Sequence, residues 1–335
     1  MHQLRKPYLL FIGDVQDRTS AKTAFGLRDW CRADVLGEWS LPNCPITLEL
    51  PRLSPLAAAA QGAGSIVIGI APVGGVLPSH WLGELVAALD AGLDVVSGLH
   101  TRLSSFPELV RAAARTDTKL IDVRHSDTNF PAASGARRSG KRVLTVGTDC
   151  ALGKKYTALA LTKALKSRGV SADFRATGQT GVMISGAGIA IDAVIADFIA
   201  GAAETLSPGG AVDHWDVIEG QGSLFHPAYA GVTLGLLHGS QPDAIVLCHD
   251  PARATIDEYP NFPIPELNVA IDAYLRAGRL TNAAIRCIGL SINSSRLTES
   301  AYQAYRVRIQ KELGLPVCDP MRGGVDELAT ALLAI

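Results

Sequence analysis

The residues best suited to chemistry lie in the segment GTDCALGK at positions 147–154. It follows a β-rich run and opens a helical pattern, which is the setting of a phosphate-binding loop. Glycines let backbone N–H groups approach an anion, the helix start adds partial positive charge, and a lysine neutralises phosphate oxygens. The alternative is an ordinary glycine turn between a strand and a helix. The segment and the lysine after it predict a cofactor-binding loop formed by Gly147, Thr148, Asp149, Gly153, Lys154 and Lys155.

The residue after the loop lysine departs from the pattern of nucleotide hydrolases. In those enzymes Ser or Thr occupies this position, and its hydroxyl holds Mg²⁺. Here it is Lys155, whose ammonium group cannot coordinate a metal, and Thr157 lies on another side of the helix. We therefore expect the loop to hold a phosphorylated molecule such as coenzyme A without cleaving it. The alternative is that Lys155 faces solvent and magnesium is held elsewhere.

A second group of polar residues lies in VIEGQGSLFHPAY, at positions 217–229. Glu219 falls at the end of a predicted strand, where open α/β sheets bind their ligands. Glu219 and His226 are alternative proton acceptors, and Ser223 completes the predicted catalytic set. We expect Gln221 and Tyr229 to contact the substrate. The alternatives are a helix cap at Ser223 and a core position for Tyr229.

Further strand ends carry arginines, whose planar guanidinium groups suit carboxylates and phosphates. Arg253, Arg296 and Arg322 are therefore predicted to bind substrate, and surface salt bridges are the alternative. In the first half of the chain, other residues follow predicted strands and are expected to form a second wall of the cleft: Lys22, Thr23, Gly74, Gly75, Ser97 and His100.

The elements that must position these residues alternate between strands and helices. Strands are predicted at 8–14, 65–72, 93–100, 118–124, 142–147, 213–223, 243–250 and 286–293. Helices are predicted at 80–92, 154–168, 187–205, 295–314 and 325–334. This alternation predicts an α/β protein with parallel sheets and right-handed crossovers.

The segment at 131–141 has the composition of a linker, rich in Gly, Ser and basic residues. We therefore predict a Rossmann-like domain at 1–130 and a P-loop NTPase-like domain at 142–335. The first strand is followed by GDVQDR instead of a GxGxxG motif, which argues against NAD as the cofactor.

Composition excludes several classes of protein. The 335 residues are 47% hydrophobic and 19% charged, with a formal net charge of −1, so a nucleic-acid partner is not expected. No apolar run reaches the roughly 20 residues that span a bilayer. The six cysteines are scattered without a CxxC pair, which argues against a zinc site and a disulfide framework and favours a reducing cytoplasm. We expect a small-molecule substrate and, from the Ala-rich helices, a homo-oligomer.

Together, GTDCALGKKYT and EGQGSLFHPAYAGVTLGLLHG resemble a family first described as a domain of unknown function and now including D-glutamate N-acetyltransferases of the DgcN type. The segments AKTAFGL, IAPVGG, LDVVSGLH and INSSRL extend the resemblance over nearly the whole chain. It implies acetyl transfer from acetyl-coenzyme A to the amine of D-glutamate, a step of D-amino-acid catabolism.

The second half also resembles dethiobiotin synthetase, a P-loop enzyme. Lys154 and Glu219 match the loop lysine and the metal-holding carboxylate of that enzyme, and Asn293 matches an asparagine that reads adenine. Lys155 replaces its threonine, so the resemblance implies the phosphate site more firmly than ATP cleavage. Two alternatives stay open: an ATP- and magnesium-dependent ligase or kinase of the dethiobiotin-synthetase type, and a regulatory protein that binds nucleotide without turnover.

Overall fold

A computed structural model describes residues 4–70, 75–125 and 129–335. They divide into two compact units, the first within Met1–Asp127 and Gly178–Ala193, the second within Thr128–Thr177 and Val194–Ile335. The segment Gly178–Ala193 thus groups with the first unit, although the sequence places it within the domain at 142–335. One reason is a buried hydrogen bond of 3.0 Å between the hydroxyls of Thr23 and Thr180.

The first unit contains a parallel sheet of order β2-β1-β3-β4-β5 in its described part. Its strands are β1 (Tyr8–Gly13), β2 (Val35–Ser40), β3 (Ser65–Ile68), β4 (Asp94–Ser97) and β5 (Leu120–Asp122). Its helices are α1 (Lys22–Trp30), α2 (Pro55–Ala60), α3 (Leu82–Asp90), α4 (Pro107–Thr116) and α6 (Gln179–Ser185). Every residue of β1 is buried, as expected for an apolar strand inside a parallel sheet.

The second unit contains a parallel sheet of order β13-β12-β9-β6-β8-β7 and a short antiparallel hairpin, β10–β11. Its strands are β6 (Lys141–Gly147), β7 (Ala172–Arg175), β8 (Trp215–Ile218), β9 (Ala244–His249), β10 (Thr255–Ile256), β11 (Tyr259–Pro263), β12 (Arg286–Ile292) and β13 (Val317–Cys318). Its helices are α5 (Lys154–Ser167), α7 (Ile199–Leu206), α8 (Ala230–Ser240), α9 (Leu267–Arg279), α10 (Glu299–Leu313) and α11 (Asp326–Leu333).

The core of the second unit fixes where the loop after β6 must lie. Val143 of β6 and Val246 of β9 are fully buried with Leu161 of α5 and Leu328 of α11. Because β6 is central and its neighbours β8 and β9 run parallel to it, the turns after all three strands meet at one edge of the sheet.

Two parallel α/β sheets confirm the predicted fold class. The helix predicted at 187–205 is wrong in its first half, because α7 begins only at Ile199 and left-handed glycines at 186 and 188 precede it. Residues 129–140 form no helix or strand and group with the second unit, so the linker at 131–141 stays a prediction. No helix in the described ranges has the length and apolarity needed to cross a bilayer.

Candidate functional site

The loop between β6 and α5 wraps around a buried lysine. Gly147 ends β6, and Gly153 precedes α5 with φ of +99°, a left-handed conformation that favours glycine. Lys154 is buried, and its Nζ donates to the backbone oxygen of Asp149 at 2.7 Å. A Cβ added at Gly147 would lie 3.1 Å from that Nζ, so the glycine leaves room for the ammonium group.

Burial lowers the pKa of Lys154 below that of an ordinary lysine. An anion beside the ammonium group would favour its charged form, and the start of the 14-residue helix α5 lies at the same place. This arrangement supports the predicted phosphate site, whose residues stay a prediction until a ligand is observed.

The two residues that follow the loop lysine carry no aliphatic hydroxyl, and the hydroxyl of Thr157 bonds within the protein. The ammonium group of Lys155 lies 5.3 Å from the ring centroid of Tyr156. The hydroxyl of Thr157 is buried, 2.7 Å from that of Ser291 on β12, and donates to the carbonyl of Gly153. The sequence position whose hydroxyl holds magnesium in P-loop hydrolases is thus a lysine in this chain.

Asp149 and Arg253 hold the loop together. The Oδ2 atom of Asp149, which is fully buried, accepts from Arg253 Nη1 at 2.6 Å and from the backbone N–H of Asp257 at 2.8 Å. Its Oδ1 accepts from the N–H of Cys150 at 2.6 Å. The carboxylate of Asp149 therefore has a structural role in the loop, and the predicted cofactor contact of this residue stays a prediction.

The turn after β8 is attached directly to the start of this loop. Ser223 Oγ donates to the carbonyl of Gly147 at 2.8 Å and accepts from the N–H of Phe225. The phenol of Tyr274, on α9, donates to the same carbonyl at 2.7 Å. Ser223 therefore positions the turn, and its predicted catalytic role stays a prediction. The sequence did not identify Tyr274, because a tyrosine in an amphipathic helix is typical of a core residue.

Glu219 and Gln221 meet at Thr177, which follows β7. The Oε2 atom of Glu219 accepts from the N–H of Thr177 at 3.0 Å, and its carbonyl accepts from the Thr177 hydroxyl at 2.6 Å. Gln221 Nε2 donates to that hydroxyl at 3.3 Å. A Cβ at Gly220 would overlap the carbonyl oxygen of Thr145 on β6. Only glycine therefore allows the backbone after Glu219 to pack against this strand.

His226 is buried, and a hydrogen bond to its Nδ1 sets the tautomer of the ring. Its Nδ1 accepts from the N–H of Ala228 at 3.1 Å, so the neutral ring carries its proton on Nε2 and acts there as a donor. Its ring stacks on that of Tyr229 at 4.5 Å and meets the edge of Tyr259 at 5.1 Å, measured between centroids. This geometry favours Glu219 over His226 as the proton acceptor.

Ligating atoms of Asp149, Cys150 and His226 lie within 4.8 Å of one another. These are residue types that bind metals, but the carboxylate of Asp149 is already paired with Arg253. Burial also raises the pKa of the Cys150 thiol, which disfavours the thiolate that binds a metal or attacks an acyl group. The three side chains therefore join the loop after β6 to the turn after β8.

The side chains of the other predicted site residues in the second unit bond to protein groups. Thr148 Oγ1 lies 3.0 Å from His249 Nδ1, and Asn293 Oδ1 accepts from the N–H of Ser295. Arg296 pairs with Asp250 at 2.6 Å. The guanidinium of Arg322 donates to the carbonyl of Leu297 and to Glu299 at the start of α10. The exposed arginines 296 and 322 thus form surface pairs, and their predicted substrate contacts gain no support.

Predicted residues at the strand ends of the first unit contact residues of the same unit. Ser97 Oγ accepts from the N–H of Leu99, and a Cβ at Gly75 would overlap the ring of His100. Burial lowers the pKa of His100. Lys22 is exposed at the start of α1, and Gly74 lies outside the described residues. A ligand role for these residues stays a prediction.

The sequence of this chain matches two family models and two relatives. A Rossmann-like domain of unknown function, DUF1611_N, matches residues 37–126, and a P-loop domain of unknown function, DUF1611_C, matches residues 131–329. The chain is 47% identical to a D-glutamate N-acetyltransferase of Pseudoalteromonas sp., covering 98% of this chain and 99% of that protein. It is 45% identical to a D-glutamate N-acetyltransferase of Tritonibacter scottomollicae, covering 99% and 100%.

A solved structure agrees with these matches. The crystal structure of a DUF1611 family protein from Anabaena variabilis superimposes with a TM-score of 0.87 at 35% identity, covering 98% of this chain and 100% of that one. The chain therefore belongs to the DUF1611 family, with its Rossmann-like and P-loop domains.

Proposed function

We propose that this protein transfers the acetyl group of acetyl-coenzyme A to the amine of D-glutamate. The observation that carries the proposal is the identity of 47% and 45%, over nearly the full length, to two proteins named D-glutamate N-acetyltransferase. The expected setting is the catabolism of D-amino acids in the cytoplasm. The six free cysteines suit a reducing compartment, and exposed apolar side chains such as Leu280 suit a homo-oligomer.

The loop after β6 is the proposed binding site for the phosphates of the acetyl donor. Its backbone N–H groups and Lys154 would bind the phosphates of coenzyme A, which are held throughout the reaction and never cleaved. Lys155 would add a second positive charge where a hydrolase holds magnesium. The absence of a hydroxyl at this position favours transfer over the alternative ATP-dependent reaction.

The turn after β8 is the proposed catalytic region. Glu219 would take a proton from the ammonium group of the acceptor, directly or through one water, because only the neutral amine can attack the thioester. The nitrogen then bonds to the acetyl carbon and loses its second proton, the carbon–sulfur bond breaks, and that proton neutralises the departing thiolate. His226 Nε2–H and the N–H groups of residues 221–223 are candidate donors to the developing oxyanion, whereas the N–H of Gly220 already donates to Thr145 Oγ1.

Acceptor binding calls for cations opposite the two carboxylates of D-glutamate. Of the three predicted arginines, Arg253 alone contacts the loop in the described part of the chain. It is the remaining candidate, although its Nη1 is used by Asp149 and Cys150. Gln221 and Tyr229 flank the same turn and remain proposed substrate contacts.

The test is a thiol-release assay with acetyl-coenzyme A and D- or L-glutamate, with either magnesium or EDTA, followed by mass analysis of the product. We expect free coenzyme A and N-acetylglutamate from the D-isomer, unaffected by EDTA. Magnesium-dependent ADP release with ATP would instead support the ligase or kinase alternative. Tight nucleotide binding without turnover in either assay would support a regulatory protein.

A further inference from the structure

A cavity of about 540 Å³ lies in the second unit, between the residues that follow β9 and helix α10. Ligand sites of small molecules and cofactors typically have volumes of about 300–1,000 Å³, so this one is large enough for a nucleoside. The residues used below are His249, Arg253, Ile264, Leu267, Tyr305 and Arg308.

Two side chains connect the cavity to the phosphate-binding loop. His249 Nδ1 lies 3.0 Å from the hydroxyl of Thr148, the second residue of the loop. Arg253 Nη1 donates to Asp149 and, at 2.9 Å, to the carbonyl of Cys150. The lining of the cavity is therefore bonded directly to the loop, and both lie within the second unit.

The lining suits a flat, uncharged heterocycle. The rings of His249 and Tyr305 are nearly parallel, at 20° with 6.3 Å between centroids, and the guanidinium of Arg308 lies 5.2 Å from the Tyr305 ring. Ile264 and Leu267 add apolar surface. Burial lowers the pKa of His249 to about 4, so its ring is neutral at physiological pH.

The charges of the lining argue against a dicarboxylate. Arg253 and Arg308 are balanced by Glu266 and Glu312, which also line the cavity, and Arg308 pairs with Glu312 at 3.3 Å. A site for D-glutamate would need an excess of positive charge, whereas a purine needs an aromatic face and hydrogen-bonding groups.

We propose that this cavity binds the adenine ring of the acyl donor, stacked on Tyr305 beside His249, while the donor's phosphates lie on the loop at 147–154. The assignment rests on the proposed function, which supplies coenzyme A as the ligand. It differs from the predicted adenine contact at Asn293, whose side-chain oxygen accepts from the N–H of Ser295.

The experiment compares Tyr305→Ala, Tyr305→Phe and Val307→Ala by isothermal titration with coenzyme A and with 4′-phosphopantetheine, which lacks adenosine. Val307 lies on the same helix and is 62% exposed, so its variant is the matched control. Removing a stacking ring is expected to weaken binding of coenzyme A about tenfold in Tyr305→Ala. Tyr305→Phe should stay within about twofold of the wild type because it keeps the ring, and the affinity for 4′-phosphopantetheine should not change.

A second measurement avoids any dependence on folding of the variants. A photoreactive 8-azidoadenine analogue of coenzyme A is cross-linked to the wild-type protein, and the labelled peptide is mapped. Label within residues 249–268 or 305–313 is expected. If the wild type binds coenzyme A and Tyr305→Ala binds it with the same affinity, the cavity assignment alone is overturned. Label in any other peptide would have the same consequence. No binding of coenzyme A by the wild type would overturn the proposed function together with it.

Discussion

Arg253 and Asp149 form an ion pair, with 2.6 Å between Nη1 and Oδ2, that joins the residues after β9 to the loop after β6. The carboxylate is fully buried and the guanidinium side chain is 18% exposed. Together with the N–H of Asp257, which also donates to Asp149, the pair holds the loop in one conformation. A preformed loop lowers the ordering cost of binding a flexible phosphorylated ligand.

Asp149→Asn is expected to destabilise the second unit by about 3 kcal/mol, because removing one partner of a buried pair leaves the other charge uncompensated. The affinity for coenzyme A should fall as the loop loses its shape. Hydrogen exchange of the β6 amides measures the first effect, and titration measures the second. Asp257→Asn is the control, since that carboxylate is 55% exposed and 3.9 Å from Arg253. Equal stability of Asp149→Asn and the wild type would contradict the structural role of the pair.

Lys154→Met is expected to raise the KM for acetyl-coenzyme A by more than about tenfold, through loss of a charge-assisted contact to phosphate. Methionine keeps much of the buried volume, so the fold should tolerate the change. Lys163→Met, on the exposed side of the same helix, is the matched control and should leave the KM unaltered. A normal KM in Lys154→Met would mean that the loop does not bind the donor.

Local sequence pattern was enough to predict the parallel sheets, the loop at 147–154 and the polar turn after β8. In each case a strand run is followed by glycines and polar residues, a signal that lies within a few positions. The pairing of Asp149 with Arg253 spans 104 residues and leaves no local pattern. Tyr274 and Thr177 were missed for the same reason, since their roles depend on tertiary contacts with Gly147 and Glu219.

Glu219→Gln is expected to lower kcat by about 10²- to 10⁴-fold while changing the donor KM little, because it removes the proposed base and keeps its shape. The amide oxygen can still accept from Thr177, so the turn should stay in place. Steady-state kinetics with varied donor measures both constants. Glu258→Gln, at an exposed position, should behave as the wild type. A kcat within about threefold of the wild type would remove Glu219 from the chemistry.

Cys150→Ala is expected to keep activity within about threefold, because direct transfer requires no enzyme thiol. Burial raises the pKa of this thiol, so little of it is the nucleophilic thiolate at neutral pH. Intact-protein mass spectrometry after mixing wild type with acetyl-coenzyme A alone should show no acetyl adduct. Cys44→Ala, in the first unit, is the control. An adduct present in the wild type, lost in Cys150→Ala and accompanied by lost turnover, would establish a covalent relay instead.

His249 is expected to make the second unit less stable as the pH falls from about 6.5 to about 4. Its pKa is lowered from 6.5 to about 4 by burial, so between these values the unfolded chain binds a proton that the folded chain does not. The free energy of unfolding therefore decreases with falling pH, by at most about 3 kcal/mol from this group. Hydrogen exchange of the β9 amides measures it in wild type and in His249→Asn. The variant should show a shallower decrease in this window, and the two curves should run parallel between pH 7 and 9. If the free energy of unfolding fell equally steeply in the wild type and in His249→Asn below pH 6.5, His249 would bind its proton as well in the folded protein as in the unfolded chain.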